Sequence, residues 1–323
     1  MRIPRLSTYA LALTALIGNV IVILQGAVVR ATGSGAGCGS HWPTCHGDFV
    51  PLGAGVETAI EFSHRLLSLA VLTIGAWLLV RVWKVGKERP GLRFFGVAAF
   101  AFLIVEALLG AATVLFGLTG DNVSTARGLM VAIHMVNSLL LAGTLTGTVV
   151  YARKNPPSWP LRLADQPLLS IVVGFGLVAM LGLIFTGGIA AMGNTMFPSE
   201  TLADGIAADF DPESHPLIRL RILHPLIAIS VGVYLLLSLG LAWWLKPVEQ
   251  ARPFARGLLT VYMVQIGVGF LNLALLAPIV LQILHLFLAV AAFGLFTATG
   301  VTALGNPAGT RATRKTPVSL ENF

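Results

Sequence analysis

Residues 58–82 read TAIEFSHRLLSLAVLTIGAWLLVRV, and the reading of this stretch decides the fold class. Glu61, His64 and Arg65 stand at its head, and no further charge appears until Arg81. Such a run satisfies the roughly 20 mostly apolar residues that a helix needs to cross a bilayer core. The histidine inside it matters as much as the length, because ionisable residues within a span are expensive and usually functional.

Working outward, apolar runs bounded by charge, proline and glycine predict eight spans, at 6–29, 58–82, 94–118, 127–151, 167–191, 217–245, 253–276 and 279–304. The first is too long for the apolar core of a signal peptide and reads as a spanning helix. Composition agrees: 56% of the 323 residues are hydrophobic and 11% charged, against about 25% charged in a soluble domain. The 35 glycines and 17 prolines fit as well, since both are commoner in membrane helices. An ordinary soluble enzyme is excluded.

The net charge of +7 does not point to nucleic acid. No basic patch is interleaved with aromatics, and Lys and Arg fall in short clusters between spans, as in loops that face anionic lipid. One set of connections carries Arg2, Arg5, the basic residues from Arg81 to Arg93 and from Arg153 to Arg162, then Lys246, Arg252, Arg256, Arg311, Arg314 and Lys315. The opposite set carries only Arg30, Arg65, Arg127, Arg219 and Arg221. The positive-inside rule therefore predicts that both termini are cytoplasmic and that the long loops 30–57 and 192–216 lie outside.

The two halves repeat each other. The stretch from Ile60 through His64 to Lys84 parallels that from Leu220 through His224 to Lys246. Glu106 and Gly110 match Gln265 and Gly269, Gln25-Gly26-Ala27 is echoed by Gly187-Gly188-Ile189, and His134 answers His285. An even number of spans per repeat restores orientation. The predicted architecture is an all-α integral membrane protein of eight transmembrane helices, arranged as two pseudo-repeated four-helix bundles. The bundles cover 1–153 and 167–304, with a linker at 154–166 and a cytoplasmic tail at 305–323.

His64, His134, His224 and His285 each lie one to two turns inside a helix that enters from the outer side, at one depth of roughly 10 Å. Two imidazoles at equal depth on facing helices suit bis-axial haem ligation within a bundle. Zinc would ask for a fourth ligand or tighter clustering, and a proton relay would ask for a file of acids. Glu61 shares a helix face with His64 and would exchange protons beside the iron. Its counterpart in the second half is Arg221, so the repeat breaks at this point. That asymmetry predicts one catalytic haem site and one redox site.

Arg30, Arg65, Arg127, Arg219 and Arg221 are candidates for haem propionates, with headgroup contact as the alternative. Cys38 and Cys45 bracket Gly-Ser-His-Trp-Pro-Thr in the first outer loop. They read as a structural disulfide or as a redox-active pair over the first haem mouth. His41, His46 and His215 read as polar loop residues, and Glu106 as an interhelical hydrogen-bonding group.

At these residues the sequence resembles the haem A synthase family over nearly its whole length. The stretch from Gly26 through Arg30 to Gly35, with Cys38, Trp42-Pro43 and Cys45, resembles the first-loop signature of the bacterial type with a single cysteine pair. Glu61-Phe-Ser-His64-Arg65 resembles its catalytic-helix motif. The resemblance implies oxidation of a methyl group of haem O to a formyl group, through an alcohol and a hydrated aldehyde, to give the haem A of terminal oxidases. It further implies substrate haem at His64 and His134, haem b at His224 and His285, and Glu61 as the catalytic carboxylate. The setting would be the bacterial cell membrane, with haem O synthase as a partner, quinol or another electron donor, and a possible homo-oligomer. Two alternatives stay open: a di-haem cytochrome b-like quinol oxidoreductase and a non-catalytic haem carrier.

Overall fold

In the computed structural model, residues 7–53, 55–245 and 248–306 are described. Arg2, Arg5, Lys246, Arg311, Arg314, Lys315 and the predicted tail beyond residue 306 lie outside them. The described residues form α1 (Thr8–Ala31), α2 (Val56–Val85), α3 (Pro90–Leu115), α4 (Thr125–Tyr151), α5 (Pro167–Met196), α6 (Leu202–Phe210), α7 (Pro216–Arg221), α8 (Leu223–Leu245), α9 (Arg252–Ala274) and α10 (Ile279–Gly305). No β-strand occurs among them. Eight helical segments, with α7 and part of α8 counted as one, are long and apolar enough to cross a membrane. All eight predicted spans coincide with these segments.

Local chemistry explains the helix ends. Ser7 and Ser124 accept the backbone N–H groups of Ala10 and Arg127 and so cap α1 and α4. Pro90, Pro167 and Pro216 open α3, α5 and α7, where the missing N–H costs nothing. The predicted third span ran to residue 118, but α3 stops at Leu115. Gly117 turns left-handed at φ 62°, and the Leu118 N–H closes back on the Thr113 carbonyl at 2.9 Å, a glycine-terminated helix end.

Three further departures lie on the outer side of the second half. The fifth span was expected to end at residue 191, yet α5 continues to Met196 because Met192 and Gly193 are buried. A β-carbon on Gly193 would lie 2.8 Å from the Leu217 carbonyl oxygen. The long loop 192–216 contains a helix that the sequence reading did not assign, α6, capped by the Thr201 hydroxyl. The sixth span, read as continuous over 217–245, breaks at Ile222. Pro225 supplies no N–H for the Arg221 carbonyl and its ring crowds that group, so the helix is interrupted one residue later.

Helices α1–α4 pack against one another, α5, α8, α9 and α10 do likewise, and α1, α4, α5 and α10 meet along the middle. One apolar cluster joins Ile23, Ala27, Leu139 and Ala142 to Met180, Leu235, Leu258 and Phe293, so the core runs across the two groups. Small residues permit this approach. A β-carbon on Gly188 of α5 would sit 2.8 Å from the Ala132 Cα of α4. Elsewhere large apolar side chains such as Ile171, Val178 and Leu237 are exposed on the outer helix faces, as a lipid-facing surface requires.

Gly188→Val should force α5 away from α4 and cost about 1–3 kcal/mol by overpacking. The check is the thermal unfolding midpoint of the detergent-solubilised protein, which should fall below that of an equivalent substitution at Gly174, where a β-carbon would meet nothing within 4 Å.

Candidate functional site

A cavity of about 1100 Å³ opens among the helices, and all four predicted histidines line it. That is just above the roughly 300–1,000 Å³ typical of small-molecule sites. His64 lies on α2 and His134 on α4, while His224 lies on α8 and His285 on α10. Each imidazole faces a glycine on a neighbouring helix. A β-carbon on Gly26, Gly187, Gly110 or Gly269 would approach the Cε1 of His64, His224, His134 or His285 at 3.1, 3.0, 3.8 and 2.9 Å. These glycines leave room for an upright ring beside the helix backbone. The contacts also correct the expected alignment: Gly26 answers Gly187, so Gln25-Gly26 corresponds to Thr186-Gly187, one residue earlier than the echo suggested.

The rings of His224 and His285 have centroids 6.1 Å apart and planes at 84°. Two imidazoles bonded at about 2 Å to one metal between them place their ring centres about 6 Å apart, so the pair fits axial ligation. The Nδ1 atoms of His64, His134 and His285 are buried without a hydrogen-bond partner, whereas His224 Nδ1 meets the Thr186 hydroxyl at 3.4 Å. Among the described residues no cluster of three or more His, Cys, Asp or Glu is able to hold a bare metal ion. Paired histidines on facing helices are a donor set that fits haem, whose macrocycle would fill the other positions.

Beside the α4 and α10 histidines stand the mismatched pair noted in the sequence. Gln265 Nε2 lies 3.2 Å from His285 Nε2, and a Glu106 oxygen lies 3.6 Å from His134 Nε2. Glu106 also accepts from Asn137 at 2.6 Å and from the Ser138 hydroxyl, tying α3 to α4. The expected interhelical role is therefore present, and Asn137 and Ser138 are the partners that pattern reading missed.

Glu61 is buried yet lines the cavity. Its Oε1 takes two donors of Arg65, Nε at 3.1 Å and Nη2 at 2.5 Å, and its Oε2 accepts the Cys38 N–H at 2.8 Å. Arg65 Nη1 reaches the carbonyls of His41 at 2.7 Å and Thr44 at 2.6 Å. Thr58 donates to the Gly37 carbonyl at 2.5 Å, and His46 Nε2 meets the same oxygen at 2.8 Å. Gly37 must be glycine here, because a β-carbon would lie 2.6 Å from the Glu57 carbonyl carbon. Cys38 and Cys45 form a disulfide and are fully buried. The loop they close puts Trp42 and Pro43 at the cavity wall, and Phe49 follows just beyond it.

The other arginines divide by position. Arg30 leaves the end of α1 and donates to the Ala191 carbonyl at 3.1 Å and the Thr195 hydroxyl on α5, and to Gln282 on α10 at 2.6 Å. Arg127 donates to the carbonyls of Gly120 and Asn122. Arg221 pairs with Asp209 of α6 and bonds Asn194 and the Gly205 carbonyl. These three line the cavity, as does Arg65. Arg219 is exposed, does not line it, and reaches the Pro212 carbonyl at 3.3 Å. His215 caps α7 by accepting the Leu217 N–H.

Comparison with known proteins places this geometry in context. Residues 9–297 match the COX15-CtaA family model, described as cytochrome oxidase assembly protein. A protein of Thermus thermophilus named protoheme IX farnesyltransferase is 42% identical over 301 residues, covering 93% of this chain and 48% of its own length. Proteins of Bacillus cereus and Bacillus anthracis named heme A synthase are 42% identical over 107 residues, 33% of this chain and 34% of theirs. The chain spans about half the length of the Thermus relative it matches.

Asp209→Asn should leave Arg221 without its counter-charge and loosen α6 from the mouth of the second half. Limited proteolysis of the solubilised protein should then cut within 197–215 faster than in the parent chain.

Proposed function

We propose, from the premise that the chain belongs to the COX15-CtaA family of cytochrome oxidase assembly proteins, that this multi-pass membrane protein is a haem A synthase. Its substrate would be haem O, and the reaction the oxidation of one methyl substituent to a formyl group. The observation that carries the reading is one cavity lined by two histidine pairs, with a carboxylate three residues before the first histidine in only one half. In the other half the matching position is Arg221, already neutralised by Asp209.

On this reading the half 1–153 binds the substrate between His64 and His134. The half 167–304, beyond the linker 154–166, holds a resident haem b between His224 and His285. Bound there, haem b would supply one-electron transfer, with His224 and His285 as the residues that hold it. The rest falls to the polypeptide. Glu61 holds or receives a proton at the reacting substituent, with its carboxylate kept at the cavity by Cys38 N–H and Arg65. Arg30 and Arg127 offer guanidinium groups to the propionates at the cavity's outer end. The disulfide loop and α6 exclude water from the two mouths, where charge interactions strengthen in a lower dielectric.

The orientation with both termini in the cytoplasm and the disulfide loop outside the cell membrane is supported by the placement of Lys and Arg between spans. The Thermus relative's name supports a prenyl-transferring enzyme as the upstream partner that delivers the substrate.

The test is pigment extraction from membranes of a host that makes haem O. Haem A should appear only when the chain is present. Glu61→Gln should lower it by about 100-fold or more, the range of a lost general acid or base, while the b-type absorbance persists. His224→Ala should abolish that absorbance. A haem-loaded chain that never yields haem A would overturn the reading.

A further inference from the structure

We infer that Arg65 is a positioning residue that joins Glu61 and the disulfide loop into one unit, rather than a partner of the substrate's carboxylates. This inference rests on the proposed catalytic role of Glu61. All three guanidinium nitrogens are already directed to protein acceptors: Nε and Nη2 to Glu61 Oε1, and Nη1 to the carbonyls of His41 and Thr44, with that of Pro43 at 3.5 Å. A planar fork of this kind fixes a carboxylate in two dimensions as a lysine ammonium does not. The second carboxylate oxygen is then oriented by a loop backbone group, the Cys38 N–H. The same arginine therefore sets both the rotamer of Glu61 and the seat of the loop that supplies its other partner.

The arrangement closes on itself. The disulfide holds Cys38 and Cys45 with Cα atoms 4.4 Å apart. The carbonyls that Arg65 grips, at 41, 43 and 44, all lie between those cysteines, and the N–H that Glu61 grips belongs to the first of them. Thr58, one turn before Glu61, adds a further bond from α2 to the same loop. Removing Arg65 would leave a buried carboxylate with one donor and free the cavity-lining Trp42 and Pro43. In the second half Arg221 also seats a cap, binding Asp209 and the Gly205 carbonyl of α6.

The experiment compares Arg65→Gln, Arg65→Lys, Glu61→Gln and the double variant Glu61→Gln/Arg65→Gln in the full-length chain. Haem content, haem A yield and the rate at which a water-soluble phosphine reduces the Cys38–Cys45 disulfide are read for each. For Arg65→Gln the expected result is unchanged haem content, a yield lower by about 100-fold, as for a displaced catalytic group, and at least tenfold faster disulfide reduction. Arg65→Lys should recover part of the yield. The double variant should be no worse in yield than Glu61→Gln alone, the non-additivity of residues that act as a unit. Loss of haem from Arg65→Gln with the disulfide still protected would identify a propionate partner and overturn the inference, as would full yield or a strictly additive double variant. If Arg65→Gln fails to accumulate, Arg65→Lys carries the same readings. If the parent chain makes no haem A, the catalytic proposal falls, while the reduction rates still decide whether Arg65 seats the loop.

Discussion

A carboxyl group buried among apolar helices needs partners that replace the water it lost. Glu61 meets this condition with Arg65 and the Cys38 N–H, and the outer end of the first half is organised around it. The need for a loop N–H draws the cysteine loop down onto α2. The need for a cation at the next turn puts Arg65 directly after His64. The disulfide then makes that loop a single closed cap rather than two strands of chain. In the second half the charges are reversed: the helix brings Arg221 and the cap brings Asp209. Both mouths are covered, but only the first offers a carboxylate from the helix that also carries a cavity histidine.

The histidines obey a gentler constraint. An imidazole standing upright against a neighbouring helix needs a missing side chain there, and Gly26, Gly110, Gly187 and Gly269 provide it. Arg30 then links α1 to α5 and α10, ending on Gln282 one turn before His285. The two halves are thereby joined at the outer rim by Arg30 as well as through the shared apolar core.

Much of this was legible in the residues themselves. The eight spans followed from runs that only a bilayer explains, and the four histidines followed from their depth in those runs. The disulfide followed from two cysteines in one loop. What pattern reading missed has physical reasons. Helix α6 is nine residues long and mostly exposed, too short for its period to stand out. The extra turn of α5 is held by contact with Leu217, distant in sequence. The break at Ile222 was visible in Pro225, but the surrounding apolar run outweighed it. The glycine echo slipped by one residue because Gly187 and Gly188 are adjacent, and only the ring of His224 distinguishes them.

By itself the sequence determined the fold class, the number of spans and the residue types available for haem chemistry, because hydropathy and burial cost act on each segment separately. It also marked Glu61 against Arg221 as the point where the halves differ. The tertiary structure alone decided what each charged group is bonded to. Arg65 and Arg30 read identically as outer-mouth arginines, yet one grips Glu61 and a loop while the other crosses to the opposite half. Those partners lie 21–24 residues away for the loop carbonyls and 161 or more for Arg30. No local rule reaches that far: hydrogen-bond partners are selected by which helices pack together, and packing is a property of the whole chain.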